Sequence, residues 1–316
     1  MTTQVHEAPW PTVHLGLPRA KAGTAGLSSV ELDHAAKMAS VRAGDLGSVH
    51  SWELVTAVDG PGTRLTVFLA GCPLQCLYCH NPDTMQMRRG TDVTADEILA
   101  RVARYRTVFA ATGGGLTISG GEPLMQPAFV ARLLRGAKAM GVHTTVDTSG
   151  FLGSQCTDAM LADVDLVLLD IKSGLPETYR RVTGRALQPT LDFGQRLRAS
   201  GTRTWVRFVL VPRSDRRARE RRGGRGSRRG LGDVVERVEV LPFHQMGRDK
   251  WDALGMQYEL TDTQPPTPEL VERVRATFRD RAERLLSARR ARSRRRRAGS
   301  GGRARARSSR CGPGTA

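Results

Sequence analysis

Six short apolar runs recur along the middle of the chain, and nearly every one ends in a polar or glycine-rich segment. They are Leu65–Ala70 (LTVFLA), Leu116–Ser119 (LTIS), His143–Asp147 (HTTVD), Leu166–Ile171 (LVLLDI), Thr204–Val211 (TWVRFVLV) and Val238–Leu241 (VEVL). Their length and β-branched content read as strands. Between them lie helix-period segments at Ala95–Arg106, Pro127–Met140, Thr157–Leu161, Pro176–Val182 and Leu191–Ala199, with a last one from Thr267 to Phe278. Strand–helix alternation implies an α/β fold with a mainly parallel sheet covered by helices. The segments after the strands are GC at Gly71–Cys72, SGGEP at Ser119–Pro123, DTSG at Asp147–Gly150, DIKSG at Asp170–Gly174 and PFHQ at Pro242–Gln245. Functional groups gathered at the carboxyl ends of parallel strands are the habit of barrel enzymes, so a full or partial barrel is expected.

After the first of these strands comes GCPLQCLYCHNPDT, with Cys72, Cys76 and Cys79 in a C-x3-C-x2-C spacing. Three thiolates within eight positions are metal-ligand chemistry. A structural zinc site would need a fourth ligand, and His80 is adjacent. An iron–sulfur cubane held by three cysteines would keep one iron open to a substrate. On spacing alone both stand. Five cysteines in 316 residues, three of them clustered, do not make a disulfide framework and point to a reducing cytoplasm. No apolar run reaches the roughly 18 residues of a membrane helix, and no secretory signal is read.

The net charge of +18 invites a nucleic-acid reading, but its location removes most of that force. Residues 213–230 (RSDRRARERRGGRGSRRG) carry +7 and residues 279–316 carry +12, leaving the rest of the chain near −1. Neither stretch contains an aromatic residue, so no stacking platform for single strands is present. Nucleic-acid binding through them is expected to be adventitious.

The C-x3-C-x2-C motif with Tyr78 before its third cysteine, followed about 40 residues later by a strand ending in GGEP, resembles the radical S-adenosylmethionine (SAM) superfamily. Taken in order, HSWELVTAVDGPGTRLTVFLAGCPLQCLYCHNPDT, GGGLTISGGEPLMQ, HTTVDTSG, LVLLDIK and LPFHQMGRDKW resemble the pyruvate formate-lyase activating enzymes of the glycyl-radical activating family. The likeness covers roughly residues 47–212 and 231–278.

That resemblance implies a partial (β/α)6 TIM-like barrel. It implies a 4Fe–4S cluster on Cys72, Cys76 and Cys79 whose open iron chelates S-adenosylmethionine. Tyr78, Cys79 and His80 would lie along the adenosine, and Gly120, Gly121 and Glu122 beside the methionine amino end. Asp147, Asp170, Ile171, Lys172 and His244 would face the cofactor from later strands, with a monovalent cation near Asp147 and Asp170. The implied substrate is a protein, pyruvate formate-lyase, which acquires a glycyl radical. The implied electron donor is a reduced flavodoxin or ferredoxin, and the activator is expected to be a monomer. The 40 residues between the cysteines and GGE hold no further cysteine, which favours the formate-lyase activators over relatives with a ferredoxin-like insert.

Residues 1–46 are expected to form a loosely ordered extension, with one short helix around Ser29–Val41. The barrel is expected over 47–278 and a disordered basic tail over 279–316. The Arg/Gly-rich run at 213–230 stands where the family has an amphipathic helix, and its glycines and near-absence of apolar residues deny it an apolar face. Its abrupt bias, bounded by resumed family sequence, predicts that it and the tail are products of shifted reading frames.

Overall fold

The computed structural model describes residues 24, 26–56, 58–212 and 234–280. Both basic runs, over 213–230 and from 281 onward, lie outside the described residues, as does the reading-frame expectation attached to them. Residues up to Pro266 form one compact unit and those from Thr267 a second.

The first unit is built on one eight-stranded sheet in the order β3-β1-β2-β4-β5-β6-β7-β8. Strands β2 (Thr63–Leu69), β4 (Gly115–Gly120), β5 (His143–Thr148), β6 (Leu166–Asp170), β7 (Thr204–Leu210) and β8 (Val235–Pro242) are mutually parallel. They are the six runs read from the sequence. Two antiparallel strands, β1 (Leu46–Thr56) and β3 (Thr91–Thr94), extend the β2 edge and were not among those runs. β1 is buried only over its first half and β3 has four residues, so neither leaves a clear apolar period.

Side chains alternate sharply across the parallel strands. Leu65, Val67, Leu69, Leu116, Ile118, Val146, Val167, Leu169 and Val206 face the helices and join one apolar core with Phe129, Val130, Leu133, Leu134, Phe193 and Leu197. Those partners come from α4 (Pro127–Ala139) and α7 (Gln188–Ser200). Helix α2 (Ala95–Arg104) adds Ile98 and Val102, and its cap Thr94 accepts from Glu97 N at 3.2 Å. The single helix expected over 95–106 is broken at Tyr105, after which α3 (Arg106–Thr112) begins. Further round the sheet, α5 (Asp158–Ala162), α6 (Pro176–Thr183) and α8 (Arg248–Ala253) complete the unit.

Within the amino-terminal segment, α1 (His34–Ala43) is capped by Asp33, and its Lys37 pairs with Asp92 of β3. Leu27 packs on the core, and Val30 N donates to Asp92 O. In the second unit, a helix over 268–280 starts where expected, with Thr267 Oγ1 accepting from Leu270 N.

The opposite face of the parallel sheet is polar: Arg64, Thr66, Thr117, Ser119, Thr145, Asp147, Asp170, Arg207 and Glu239. Its charges show that the sheet curls. Thr117 on β4 donates to the backbone oxygen of Asp59 at 2.7 Å. The Arg207 guanidinium on β7, three strands away, lies 3.6 Å from the Asp59 carboxylate and donates to Val58 O. Asp59 thus links β4 to β7, about 14 Å apart on a flat sheet, a span that curling of the sheet shortens. The polar face is therefore concave, the lumen of a partial barrel that stays open because β3 and β8 are edges.

Arg64 plugs the amino-terminal end of that lumen. It is fully buried, and its guanidinium donates to Thr117 Oγ1 and Thr145 Oγ1 at 2.8 Å each and to Leu116 O. Burial lowers its pKa to about 10. Arg64→Leu would strand several buried acceptors at about 1–3 kcal/mol each, so urea unfolding should show a loss of about 3 kcal/mol. Arg64 also meets His143 Nδ1 at 3.2 Å, and burial together with that cation pulls His143 down to about 4. Its pKa in the unfolded chain is about 6.5. As pH falls from about 6.5 to about 4, the unfolded state takes up this proton and the folded state does not, so stability falls. His143→Asn should flatten that part of the stability–pH curve.

Candidate functional site

The residues singled out for chemistry lie at or just beyond the carboxyl-terminal ends of the parallel strands. This rim begins where β2 and β4 end side by side. Gly120 has φ +118°, and a Cβ there would lie 2.2 Å from Leu69 N. A Cβ on Gly121 would lie 2.3 Å from Gly71 O and 3.1 Å from the Cys72 Cβ. Only glycines let these two backbones touch. Gly121 N then donates to Leu69 O at 2.9 Å and Glu122 N to Gly71 O at 2.8 Å, which docks the GGE turn against the start of the cysteine loop.

The loop from Gly71 to Asn81 is held from several sides. Gly71 N donates to Thr84 O at 2.7 Å and Cys72 N to Met85 O at 3.1 Å. Gln75 N and Leu77 N donate to the Thr183 and Val182 carbonyls at the end of α6. Cys79 N closes a turn onto Cys76 O at 3.0 Å, and the Trp251 indole of α8 donates to Cys79 O at 2.9 Å. The three thiols are free and largely buried. Burial pushes all three above the ordinary thiol range, Cys76 to about 12. Such thiols stay protonated until a metal displaces the proton.

Tyr78 lies beneath the loop in an apolar cluster with Val182, Val211, Phe243, Trp251 and Tyr258. Its buried hydroxyl has no hydrogen-bond partner among the described residues. The His80 ring stacks on His244 with centroids 4.0 Å apart, and burial with that neighbour lowers its pKa to about 4. Lys172 pairs with Asp170 at the end of β6, and its ammonium lies 5.9 Å over the Tyr78 ring. Burial opposes the charge of this ammonium, but the Asp170 carboxylate, with Tyr78 and Cys76, holds it well above the ordinary lysine range.

Deeper in the lumen, Asp147 accepts from Ser119 Oγ at 2.8 Å and faces Arg207 at 3.3 Å. Arg207 also meets Glu239 at 3.0 Å and Asp59 at 3.6 Å. Burial raises Asp147 to about 7 in spite of the arginine. Asp59, Asp147, Asp170 and Glu239 thus lie among Lys172, Arg207 and Arg237, the last 3.3 Å from Glu239. Arg207, Asp59 and Glu239 were not singled out from the sequence. Only the folded sheet brings them beside Asp147.

Two expected cofactor contacts take a different form. The Glu122 carboxylate is fully buried and accepts from Thr148 Oγ1 at 2.6 Å, Ser149 N at 3.0 Å, Ser149 Oγ and Leu124 N at 3.2 Å. It is a strut between the ends of β4 and β5, with its side chain turned away from the lumen. Ile171 points its side chain into the helix-side core and donates its backbone N to Arg207 O at 3.0 Å.

These residues fit a 4Fe–4S cluster with S-adenosylmethionine. Three free thiols lie on one loop whose start is docked against the GGE turn, a donor set that suits a cubane with one open iron. Among the described residues, no three His, Cys, Asp or Glu side chains gather closely enough to hold a single metal ion, as a structural zinc site requires.

Residues 66–221 match the Radical SAM superfamily. The chain is 40% identical over 233 residues to the pyruvate formate-lyase 1-activating enzyme of Escherichia coli K12, covering 73% of this chain and 94% of that one. It is 39% identical over 223 residues to the pyruvate formate-lyase-activating enzyme of Clostridium pasteurianum (69% and 90% covered). To that of Staphylococcus epidermidis it is 40% identical over 234 residues (72% and 92% covered). With the cysteine loop, the glycine cradle and the Asp-x-Lys strand end assembled on one rim of a partial barrel, the chain belongs to the pyruvate formate-lyase activating enzymes of the radical SAM superfamily.

Proposed function

We propose that this protein activates a pyruvate formate-lyase by installing a glycyl radical on it. The observation that carries the reading is the close likeness to activators along nearly their whole length, joined to a rim on which the cysteines, the GGE turn and Lys172 converge. Cys72, Cys76 and Cys79 would hold a 4Fe–4S cluster, which when bound with S-adenosylmethionine would supply the one-electron radical chemistry that removes the glycine α-hydrogen.

The chain's own residues bind, orient and shield. Gly120 and Gly121 present backbone to the cofactor's amino end, and the Lys172 ammonium faces its carboxylate. Tyr78, Cys79 and His80 run along the adenosine, with His244 stacked behind His80. Ile171 contributes through its backbone, and Glu122 through the turn that it braces. A monovalent cation would sit beside the Asp147 and Asp170 carboxylates, which share the lumen with Asp59 and Glu239. The open side of the barrel admits a loop of the protein substrate. A reduced flavodoxin or ferredoxin delivers the electron to a monomeric activator in a reducing cytoplasm. Among the described residues no helix is long and apolar enough to cross a membrane.

The deciding experiment is anaerobic reconstitution of the full chain with iron and sulfide, followed by EPR of the reduced protein with and without S-adenosylmethionine. A 4Fe–4S signal that changes on adding the cofactor is expected, as is a glycyl-radical signal once a formate-lyase is supplied. Zinc in place of iron, or a cluster indifferent to the cofactor, would overturn the reading. Lys172→Met removes one buried charged contact, worth about 1.5–3 kcal/mol. The S-adenosylmethionine concentration that half-converts the EPR signal should then rise by about 10- to 100-fold.

A further inference from the structure

The segment that follows the third cysteine is clamped by side chains that the reaction itself does not use. Lys250, in the first turn of α8, donates to Asn81 Oδ1 at 2.7 Å and sits 3.1 Å from the Asp83 carboxylate. Asp83 in turn meets His50 Nε2 of β1 at 3.0 Å. One residue beyond Lys250, the Trp251 indole donates to the Cys79 carbonyl at 2.9 Å. Gly247, just before α8, lies so close to His80 that an added Cβ would be 2.7 Å from the His80 Cα. Lys250 N and Trp251 N both donate back to Gly247 O, so α8 and its leading turn move as one piece.

Asp83 also belongs to the short turn Pro82–Thr84, and the carbonyls of Thr84 and Met85 accept from Gly71 and Cys72. The clamp therefore bears on both ends of the cysteine loop. A single carboxylate carries the load, bridged to β1 on one side and to α8 on the other. Its partners place one negative and one positive side chain close to the Cys79 corner, with Lys172 as a further cation on the lumen side.

We infer that Lys250, Asp83 and Trp251 are positioning residues for the cluster, fixing the Cys79–Asn81 backbone and setting the electrostatic potential at the Cys79 corner. The inference rests on the cluster assignment of the preceding section. It goes beyond it by giving the HNPDT and GRDKW segments a shared task. Lys250 and Asp83 act in opposite directions on the cluster's reduction potential, because a nearby positive charge favours the added electron and a nearby negative charge opposes it. Trp251 acts on geometry alone.

The test is a redox titration of the full chain, reconstituted anaerobically and followed by EPR, beside iron analysis and the rate of iron removal by a chelator. Lys250→Met should lower the midpoint potential and Asp83→Asn should raise it. The double variant should return towards the wild type, and Lys250→Arg should hold the wild-type potential. Trp251→Phe keeps the ring but loses the donor, and should release iron several-fold faster. Shifts of the same sign for Lys250→Met and Asp83→Asn, or no shift in either, would overturn the inference. If Lys250→Met loads no iron, the comparison of Asp83→Asn with Lys250→Arg and the Trp251→Phe release rate decide it. If the wild type itself loads no cluster, the underlying assignment fails instead.

Discussion

The close approach of two strand ends governs this molecule. Where β2 and β4 finish, the backbones of Leu69–Cys72 and Gly120–Glu122 touch with no room for a side chain between them. Moving either glycine to alanine would push the cysteine loop off the rim, because a Cβ would meet backbone that cannot rotate aside. Everything chemical is referenced to this contact. It fixes Cys72 beside the GGE turn, and it starts the loop that carries Cys76 and Cys79 across to α6 and α8. Glu122 then ties the same turn to β5 through Thr148 and Ser149, so the three leading strand ends form one rigid lip.

The lumen beneath that lip is polar for a physical reason. An ordinary parallel sheet is apolar on both faces, since helices cover both. Here one face packs the helices and the other carries Arg64, Asp147, Asp170, Arg207 and Glu239. Buried ions are costly unless paired, and each one here has a partner. Arg64 closes the lower end with neutral acceptors, while Arg207 gathers three carboxylates in the middle. The upper end carries the Lys172–Asp170 pair. The charge pattern thus grades from a sealed base to a mouth able to receive a charged ligand.

Much of this was legible in the sequence, and the parts that were not share a cause. The six parallel strands showed because each is a compact apolar run, and the cysteine loop and GGEP turn showed because their spacing is local. β1 and β3 did not show, since β1 is half solvated and β3 is four residues long. Tyr105 divides α2 from α3 without a proline or glycine to announce it. Glu122 and Ile171 follow the ends of β4 and β6, where the direction of a side chain is set by the fold: Glu122 reaches Thr148 and Ser149, and Ile171 joins the helix-side core. Arg207, Asp59 and Glu239 were hidden because their task exists only once the sheet curls. Lys250 and Asp83 are separated by more than 160 residues and meet only through the fold.

That last separation says something about how the chain is organised. The cysteine loop is local in sequence, yet the partners that immobilise it come from β1, α6 and α8, at both ends of the compact unit. The loop's Tyr78 finds its apolar partners only in later elements, so the loop's conformation is imposed by them. α8 follows β8 directly and docks Trp251 under Cys79. The loop that opens the barrel is therefore complete only when the last strand is in place. A cluster held at residues 72–79 would then be linked to the β8 edge through the Trp251–Cys79 hydrogen bond.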